Sequence, residues 1–432
     1  MPKLLIGIDV GNYEHQICVL DEERQVVAEF AVTANGEGEG RLLSRLRSLC
    51  EGDLSQTLAG AEVTAGAIVE ALLDAGVSVY GINPKQIDRF RERISVAGAK
   101  SDRRDARVIA SALATDLVCF RRLSLATPEI VELRGLAREA EELKEDRRRA
   151  CNRLRSELLR YYPQILELSP GVDEGWIWDL LELAPTPAEA RRKTLGKIRG
   201  LLRENRIRRV TAEEVRGLLK SKAVSAAPGV TKAASKHALR LLKRVRLLDS
   251  QLRVVEGQMD EILNPSEEPG EEEANQQKQR DAKTLQSLPG AGRAVVATLL
   301  TEATEALERR DYQALRAQAG VAPVTRSSGK RTTVSFRRAC NRRLRNAVHH
   351  FARVAIQNDL AARSHYDRLR AKGHSFPRAL RSVADRLLRI AVAMLRDGTL
   401  YDPTRVGATR AASARSAVQD ESPLLALSAA PC

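Results

Sequence analysis

The sequence predicts an α/β domain at the amino terminus, then long charged helices, then a mostly α carboxy-terminal domain. Three observations carry this. Apolar residues alternate with a strand period between Leu4 and Val32, and a strand, helix, strand succession follows as far as Ile82. From Pro128 onward apolar residues recur every three or four positions in a charged background. At 432 residues the chain is too long for one ordinary core and suits two or three modules.

The first strands are Leu4 to Gly11, Gln16 to Asp21 and Val26 to Val32, joined by gaps short enough for an antiparallel meander. A helix is expected around Gly40 to Cys50. Apolar runs at Thr57 to Ala61 and Val77 to Ile82 flank a helix over Gly66 to Ala75, which makes a parallel crossover. A further helix covers Arg107 to Thr115, and the domain spans 1–122.

The spacing of Leu133, Leu136, Ala140, Leu143 and Arg147 predicts a long helix from Pro128 to Leu166. Leu239, Leu242, Val245, Leu248 and Leu252 predict a second from Ala233 to Leu263, and the two suit an antiparallel coiled coil. Ser169 to Gly229 between them reads as irregular helix and turn, so 123–263 forms a helical coiled-coil region. The acidic, Pro- and Gly-bearing stretch 264–281 reads as a linker, 282–402 as a mostly α domain, and the Ala/Ser/Arg-rich 403–432 as a disordered tail.

The net charge of +15 favours a polyanionic partner, because Lys and Arg neutralise phosphates and release condensed counterions. No run of about 18 apolar residues favours a membrane, and no signal pattern opens the chain, so a cytoplasmic protein is expected. Aromatic residues make up only 3%, which argues against recognition mainly by bases stacked on rings. The six cysteines are scattered without a CxxC pair, which argues against zinc and a disulfide framework.

Four carboxylates stand out. Asp9 ends an apolar strand between Gly7 and Gly11, so little bulk obstructs a ligand approaching it. Glu62 follows the next buried strand and, in a parallel sheet, falls beside the first. Asp102 and Asp105 stand three apart at a helix start, on one face. Two to four converging carboxylates are what hard divalent cations need, and a Mg²⁺ pair about 4 Å apart assists phosphoryl transfer. Each residue taken alone also reads as a turn or helix-cap residue.

A second constellation lies near the carboxy terminus. Leu288-Pro289-Gly290-Ala291-Gly292-Arg293 has the form of a helix-hairpin-helix turn, in which backbone N–H groups meet a phosphate; an ordinary helix-helix loop explains it equally well. Ser327 and Ser328 stand in a Gly-bounded turn among Arg326, Lys330 and Arg331, followed by Arg342, Arg343 and Arg345. No Asp or Glu occurs from Arg326 to Arg353, which suits a phosphate-binding surface. A serine there is either an ordinary turn residue or a nucleophile whose attack the cations assist.

Ile6-Gly7-Ile8-Asp9-Val10-Gly11, Gly60-Ala61-Glu62-Val63-Thr64, Ile82-Asn83-Pro84-Lys85-Gln86 and Lys100-Ser101-Asp102-Arg103-Arg104-Asp105-Ala106 resemble the DEDD transposases of the insertion-sequence one-ten family. Ser328-Gly329-Lys330 and Asn341-Arg342-Arg343-Leu344-Arg345 are similar to that family's C-terminal domain. The sequence departs from the pattern at Ala65, which separates Thr64 from Gly66, and at Cys340, where the family often has Gly.

The resemblance implies an RNase H-like, RuvC-type N-terminal domain. In it Asp9, Glu62, Asp102 and Asp105 would hold Mg²⁺ or Mn²⁺. The serine before Gly329, Ser328, would attack DNA to form a phosphoserine, with Ser327 as the fallback. It also implies a composite site shared between subunits of a dimer or tetramer, and a structured guide RNA that pairs with donor and target DNA.

Competing readings are a RuvC-type junction nuclease using water, and a non-catalytic nucleic-acid scaffold. A third is a tyrosine recombinase, prompted by His350-Phe351-Ala352-Arg353 with Tyr366 or Tyr401.

Overall fold

The computed structural model describes residues 4–62, 66–94, 101–124, 127–265, 273–329 and 331–404, in two compact units, 1–127 and 128–432. The first unit is built on a six-stranded sheet. Its elements are β1 (Leu4–Val10), β2 (Glu14–Leu20), β3 (Val26–Thr33), α1 (Gly36–Leu49), β4 (Thr57–Ala61), α2 (Ala67–Asp74), β5 (Ser78–Gly81), α3 (Pro84–Ile94), α4 (Asp102–Asp116) and β6 (Arg121–Arg122). The strand order is β3-β2-β1-β4-β5-β6. The meander β1-β2-β3 is antiparallel, β1, β4 and β5 run parallel, and β6 returns antiparallel on β5.

Strand alternation sends side chains to two separate cores. Leu4, Ile6 and Ile8 join Ala59 and Ala61 beneath Leu42, Leu46, Ile68 and Leu72 of α1 and α2. Leu5, Cys18 and Leu20 face Ile87, Ala106, Ile109 and Leu113 of α3 and α4. On that second face Gly7 decides the spacing. A Cβ there would sit 1.9 Å from the Ala106 carbonyl oxygen, so only glycine lets α4 lie on β1.

Three boundaries differ from expectation. Helix α1 starts at Gly36 because the Asn35 side chain accepts from the Gly38 N–H (2.9 Å), which fixes the helix ahead of its glycines. Helix α4 starts at Asp102, not Arg107, with Ser101 accepting from the Arg104 N–H, so both aspartates lie inside its first turn. Strand β6 is only two residues long and exposed, too short to leave a periodic signature.

The second unit opens with α5 (Pro128–Tyr161), continues through α6 (Gly175–Leu183), α7 (Pro187–Arg191), α8 (Leu195–Glu204) and α9 (Ala212–Lys220), and returns in α10 (Pro228–Leu263). The ion pairs Arg147–Asp249 and Lys144–Glu256 and the contact of Glu157 with His237 show α5 and α10 antiparallel. The stretch read as irregular, Ser169 to Gly229, folds four short helices over one end of this pair. Both tryptophans are buried there, and Trp178 donates to the Val172 carbonyl at 2.8 Å.

Then follow α11 (Glu273–Gln286), α12 (Arg293–Glu302), α13 (Thr304–Glu308), α14 (Tyr312–Gln318), β7 (Val324–Ser328), β8 (Arg331–Ser335), α15 (Arg342–Asn358), α16 (Leu360–Ala371) and α17 (Phe376–Asp397). Residues 273–281, expected within the linker, belong to α11; Asp281 is buried and takes both Arg310 guanidinium nitrogens at 2.6 and 2.8 Å. Of the rest of that linker, Asn264 caps α10 and 266–272 lie outside the described residues, as does most of the tail, 405–432. The regions expected as a separate helical arm and C-terminal domain are joined in one unit by Arg138–Glu302, Arg293–Asp260 and Arg343–Glu141.

Candidate functional site

The four carboxylates share one face of the sheet. Register pairs Ile8 with Ala61, so Asp9 and Glu62 each stand one residue beyond the last paired positions of parallel β1 and β4, at the same end of the sheet. Asp9 continues the Leu5-Gly7 side of β1 and Glu62 the Leu58-Gly60 side of β4, both beneath α3 and α4. Asp102 and Asp105 stand at the start of α4 over the same face, where carboxylates also favour the helix dipole.

The side chains are not drawn into one cluster. Glu62 and Asp102 are exposed, whereas Asp105 is 4% exposed and accepts from Arg91 Nε at 2.8 Å. That hydrogen bond, ahead of burial, sets the Arg91 guanidinium pKa above its ordinary value; a second contact reaches Asp88 at 2.9 Å. Among the described residues no three His, Cys, Asp or Glu side chains stand close enough to hold a metal ion. The residues fit a hard cation in kind, as oxygen ligands, and Asp105 is committed to Arg91 instead.

Arg91 left no sequence signal: in Arg89-Phe90-Arg91-Glu92-Arg93 it is one charge among several on an exposed helix. Arg91→Ala leaves a buried carboxylate without its charged donor. It is expected to lower the stability of the first unit by about 2 kcal/mol, read as a reduced urea midpoint with unchanged slope.

In the second unit the Pro-Gly turn does join two helices, α11 and α12, but its groups are spoken for. Gly290 has φ +91°, and a Cβ there would lie 2.8 Å from the Ala355 N–H of α15, so its backbone is packed against protein. Arg293 turns to α10, reaching Asp260 at 2.5 Å and the Glu256 carbonyl at 2.7 Å. Gly292 is open and stands at the start of α12, giving it no side-chain cap. Of the three residues expected to grip phosphate here, Gly292 alone is free to do so.

The two serines lie on a strand, not in a loop. Val324-Thr325-Arg326-Ser327-Ser328 pairs with Arg331-Thr332-Thr333-Val334-Ser335 in a two-stranded ribbon, and the β-branched residues suit it. Neighbours along a strand point to opposite faces, and paired residues share one. Ser328 therefore shares its face with Arg326 and with its partner Arg331. Ser327 faces the other way and meets Thr332 Oγ1 at 3.2 Å. Ser328 is exposed, and among the described residues its hydroxyl has no partner. Lys330 lies outside the described residues.

The remaining cations divide. Arg342 is exposed, with no carboxylate partner among the described residues, whereas Arg343 is tied to Glu141. Arg345 lies over the Phe336 ring, 5.8 Å from its centre. Asn341 caps α15 by accepting from the Leu344 N–H (3.1 Å) and donates to Glu302 (2.7 Å), so part of the Asn-Arg-Arg-Leu-Arg motif is architectural. Burial pushes the Glu302 carboxyl up, but hydrogen bonds from Asn341 and Arg138 outweigh it and hold the group below the ordinary range.

His349, whose pKa is lowered by burial and then by Arg353, stands beside His350 on α15. Tyr401 donates to Asp359 at 3.0 Å, and its pKa is pushed up to about 12 by burial and then by that bond, a poor state for a nucleophile.

Comparison with known proteins follows the same division. Residues 6–163 match a DEDD transposase family model, and residues 282–367 match the model described as Transposase IS116/IS110/IS902 family. A protein of Streptomyces coelicolor named as the mini-circle transposase for IS117 is 31% identical over 88% of this chain and 91% of its own length. A Sinorhizobium fredii protein named as the transposase y4uE is 41% identical over 48% of this chain, a stretch covering 58% of that relative. An IS116 protein of Streptomyces clavuligerus is 26% identical over 93% of this chain and 96% of its own length. DEDD domains imply an RNase H-like fold and generally use divalent metal ions, in keeping with the sheet order of the first unit.

Proposed function

Because the chain belongs to the IS116/IS110/IS902 family of transposases, we propose that it recombines DNA by transesterification with Ser328 as the nucleophile. The observation that carries this assignment is the ribbon face on which an exposed Ser328 stands with Arg326 and Arg331. Attack by Ser328 Oγ forms an Oγ–P bond and breaks the P–O bond to the departing strand, whose oxygen takes the serine proton. A hydroxyl of another strand then reverses the step and regenerates the serine. One phosphodiester is exchanged for another, so no nucleotide cofactor is needed.

The residues that would hold the ion are Asp9, Glu62 and Asp102, with Asp105 joining if its contact with Arg91 opens. Their oxygen-only donor set suits Mg²⁺ or Mn²⁺, which would neutralise charge at the phosphate. Arg326 and Arg331 stabilise the phosphoryl charge on the serine side, and Arg342 and Gly292 hold the strand. The direct test is a labelled DNA substrate carried through denaturation. A covalent phosphoserine mapped by mass spectrometry to Ser328 is expected, and its absence during active turnover would overturn the mechanism.

The antiparallel α5–α10 pair serves as an arm for a second copy of the chain, so that carboxylates of one subunit act with the serine of another. What supports a partner on this arm is Leu247 and Val254, 57% and 61% exposed and seven residues apart on α10. Leu247→Glu with Val254→Glu is expected to shift light-scattering mass from dimer or tetramer toward monomer, with strand exchange lost. The net charge also suits a structured RNA guide; RNA sequencing of protein isolated from cells carrying its flanking DNA is expected to return one enriched species.

A further inference from the structure

At the foot of the serine ribbon a cavity of about 550 Å³ opens between β8 and the start of α17, within the size range of ligand sites. Its walls include Phe336, Arg337, His374, Arg378, Arg381 and Ser382, and a smaller hollow of about 290 Å³ adjoins it along Phe336, Arg345 and His349. The Phe336 ring holds two guanidiniums, that of Arg381 4.7 Å and that of Arg345 5.8 Å from its centre.

The charges here are unbalanced. Arg293, Arg310, Arg316 and Arg343 of this unit each pair with a carboxylate, yet among the described residues Arg337, Arg345, Arg378 and Arg381 have none. The one acid in the wall, Asp385, is already taken by Arg316 (2.7 and 3.0 Å) and Tyr312 (2.7 Å). Among the described residues Arg337 Nε and His374 Nδ1 are buried without a protein hydrogen-bond partner, whereas buried polar groups ordinarily find one in protein, water or a bound ion. Burial, then the neighbouring Arg378, lowers the pKa of Arg381, the mark of cations crowded together without an anion. No acidic residue occupies the first turn of α17, a 22-residue helix whose positive end opens here.

We propose that this cavity is a second nucleic-acid site, in which Arg337, Arg378 and Arg381 take phosphodiester groups of the strand engaged at Ser328. The inference rests on the reading of this unit as a DNA-recombining one and names a contact outside its chemistry. Along the ribbon, Ser335 and Ser328 lie at opposite ends of the ladder, four residues or about 13 Å apart, roughly four nucleotide rises. The site would grip the strand that far from the broken bond and carry no sequence information by itself.

Arg378→Gln with Arg381→Gln in the full chain tests this, with Phe336→Leu as a second variant that loosens Arg345 and Arg381 without removing charge. Binding to duplex DNA, single-stranded DNA and single-stranded RNA of matched length is measured across salt concentrations. For the double variant, affinity is expected to fall at least tenfold at 0.1 M salt on duplex or single-stranded DNA. Its log K against log salt slope should shrink by about 1 to 2. A loss confined to the RNA probe would overturn the assignment to the strand engaged at Ser328.

Removing two mutually repelling cations is expected to leave the melting temperature equal or higher. Inorganic phosphate should stabilise the wild type more than the variant. Wild-type affinity and slope in both variants on all three probes would overturn the site while leaving the serine mechanism intact. A wild type that binds none of the probes would overturn that mechanism as well.

Discussion

Ser328→Ala is expected to reduce strand exchange by roughly 10³-fold or more, because a nucleophile that forms the covalent intermediate has no substitute in the ribbon. DNA affinity should stay within about twofold, since Arg326, Arg331 and Arg342 keep their charges. Ser327→Ala removes only the 3.2 Å contact with Thr332 at an exposed edge and is expected to lose less than about 1 kcal/mol of stability, with exchange nearly intact. The measurement is a joined-product assay run beside a nicking assay. Nicking by Ser328→Ala at the wild-type rate would mean that water attacks, and the carboxylate unit would then act as a nuclease alone. Equal losses in both serine variants would point to the ribbon's shape and not to one hydroxyl.

Gly7→Ala carries the largest expected stability effect. The added carbon would meet the Ala106 carbonyl oxygen at 1.9 Å and the Ala110 nitrogen at 2.5 Å. These are backbone atoms, so no rotamer relieves the clash, and α4 must lift from β1. The expected cost is about 3–5 kcal/mol in the first unit, above the usual range for overpacking because the neighbour cannot flex. Asp9, two residues on, would shift relative to Asp102 and Asp105, so cleavage should fall even where the variant stays folded. Urea unfolding monitored by far-UV circular dichroism gives the first quantity and the nicking assay the second. A midpoint within error of the wild type would show that α4 does not need the close approach.

Much of this was legible in the residues. The meander, the crossover and both long helices follow from periodicities that run for several turns or strand repeats, where burial imposes a pattern that chance rarely mimics. The placement of Asp9 near the end of β1 and of Glu62 one residue past β4 was legible for the same reason.

What escaped is non-local or brief. The ribbon was missed because Ser-Ser-Gly-Lys-Arg reads as a turn until the flanking threonines are seen as strand. Arg91 and the Phe336 pocket depend on groups brought together from distant segments. Arg293 and Arg343, expected to face phosphate, found carboxylates on α10 and α5 that no local reading could reveal. Gly290 was read for its openness and is used for close packing.

The three ion pairs that fasten α12 and α15, the helices beside the serine ribbon, to α5 and α10 have a mechanical consequence. Helix α5 has 34 residues and so measures about 51 Å, with the ribbon's supporting helices clamped near one end and the tryptophan-lined helices near the other. A rigid rod of that length tilting by about 5° at the clamped end sweeps about 4 Å at its tip. Displacement applied at the tip is returned in the same ratio as a small, stiff rotation of the serine, which favours aim over reach.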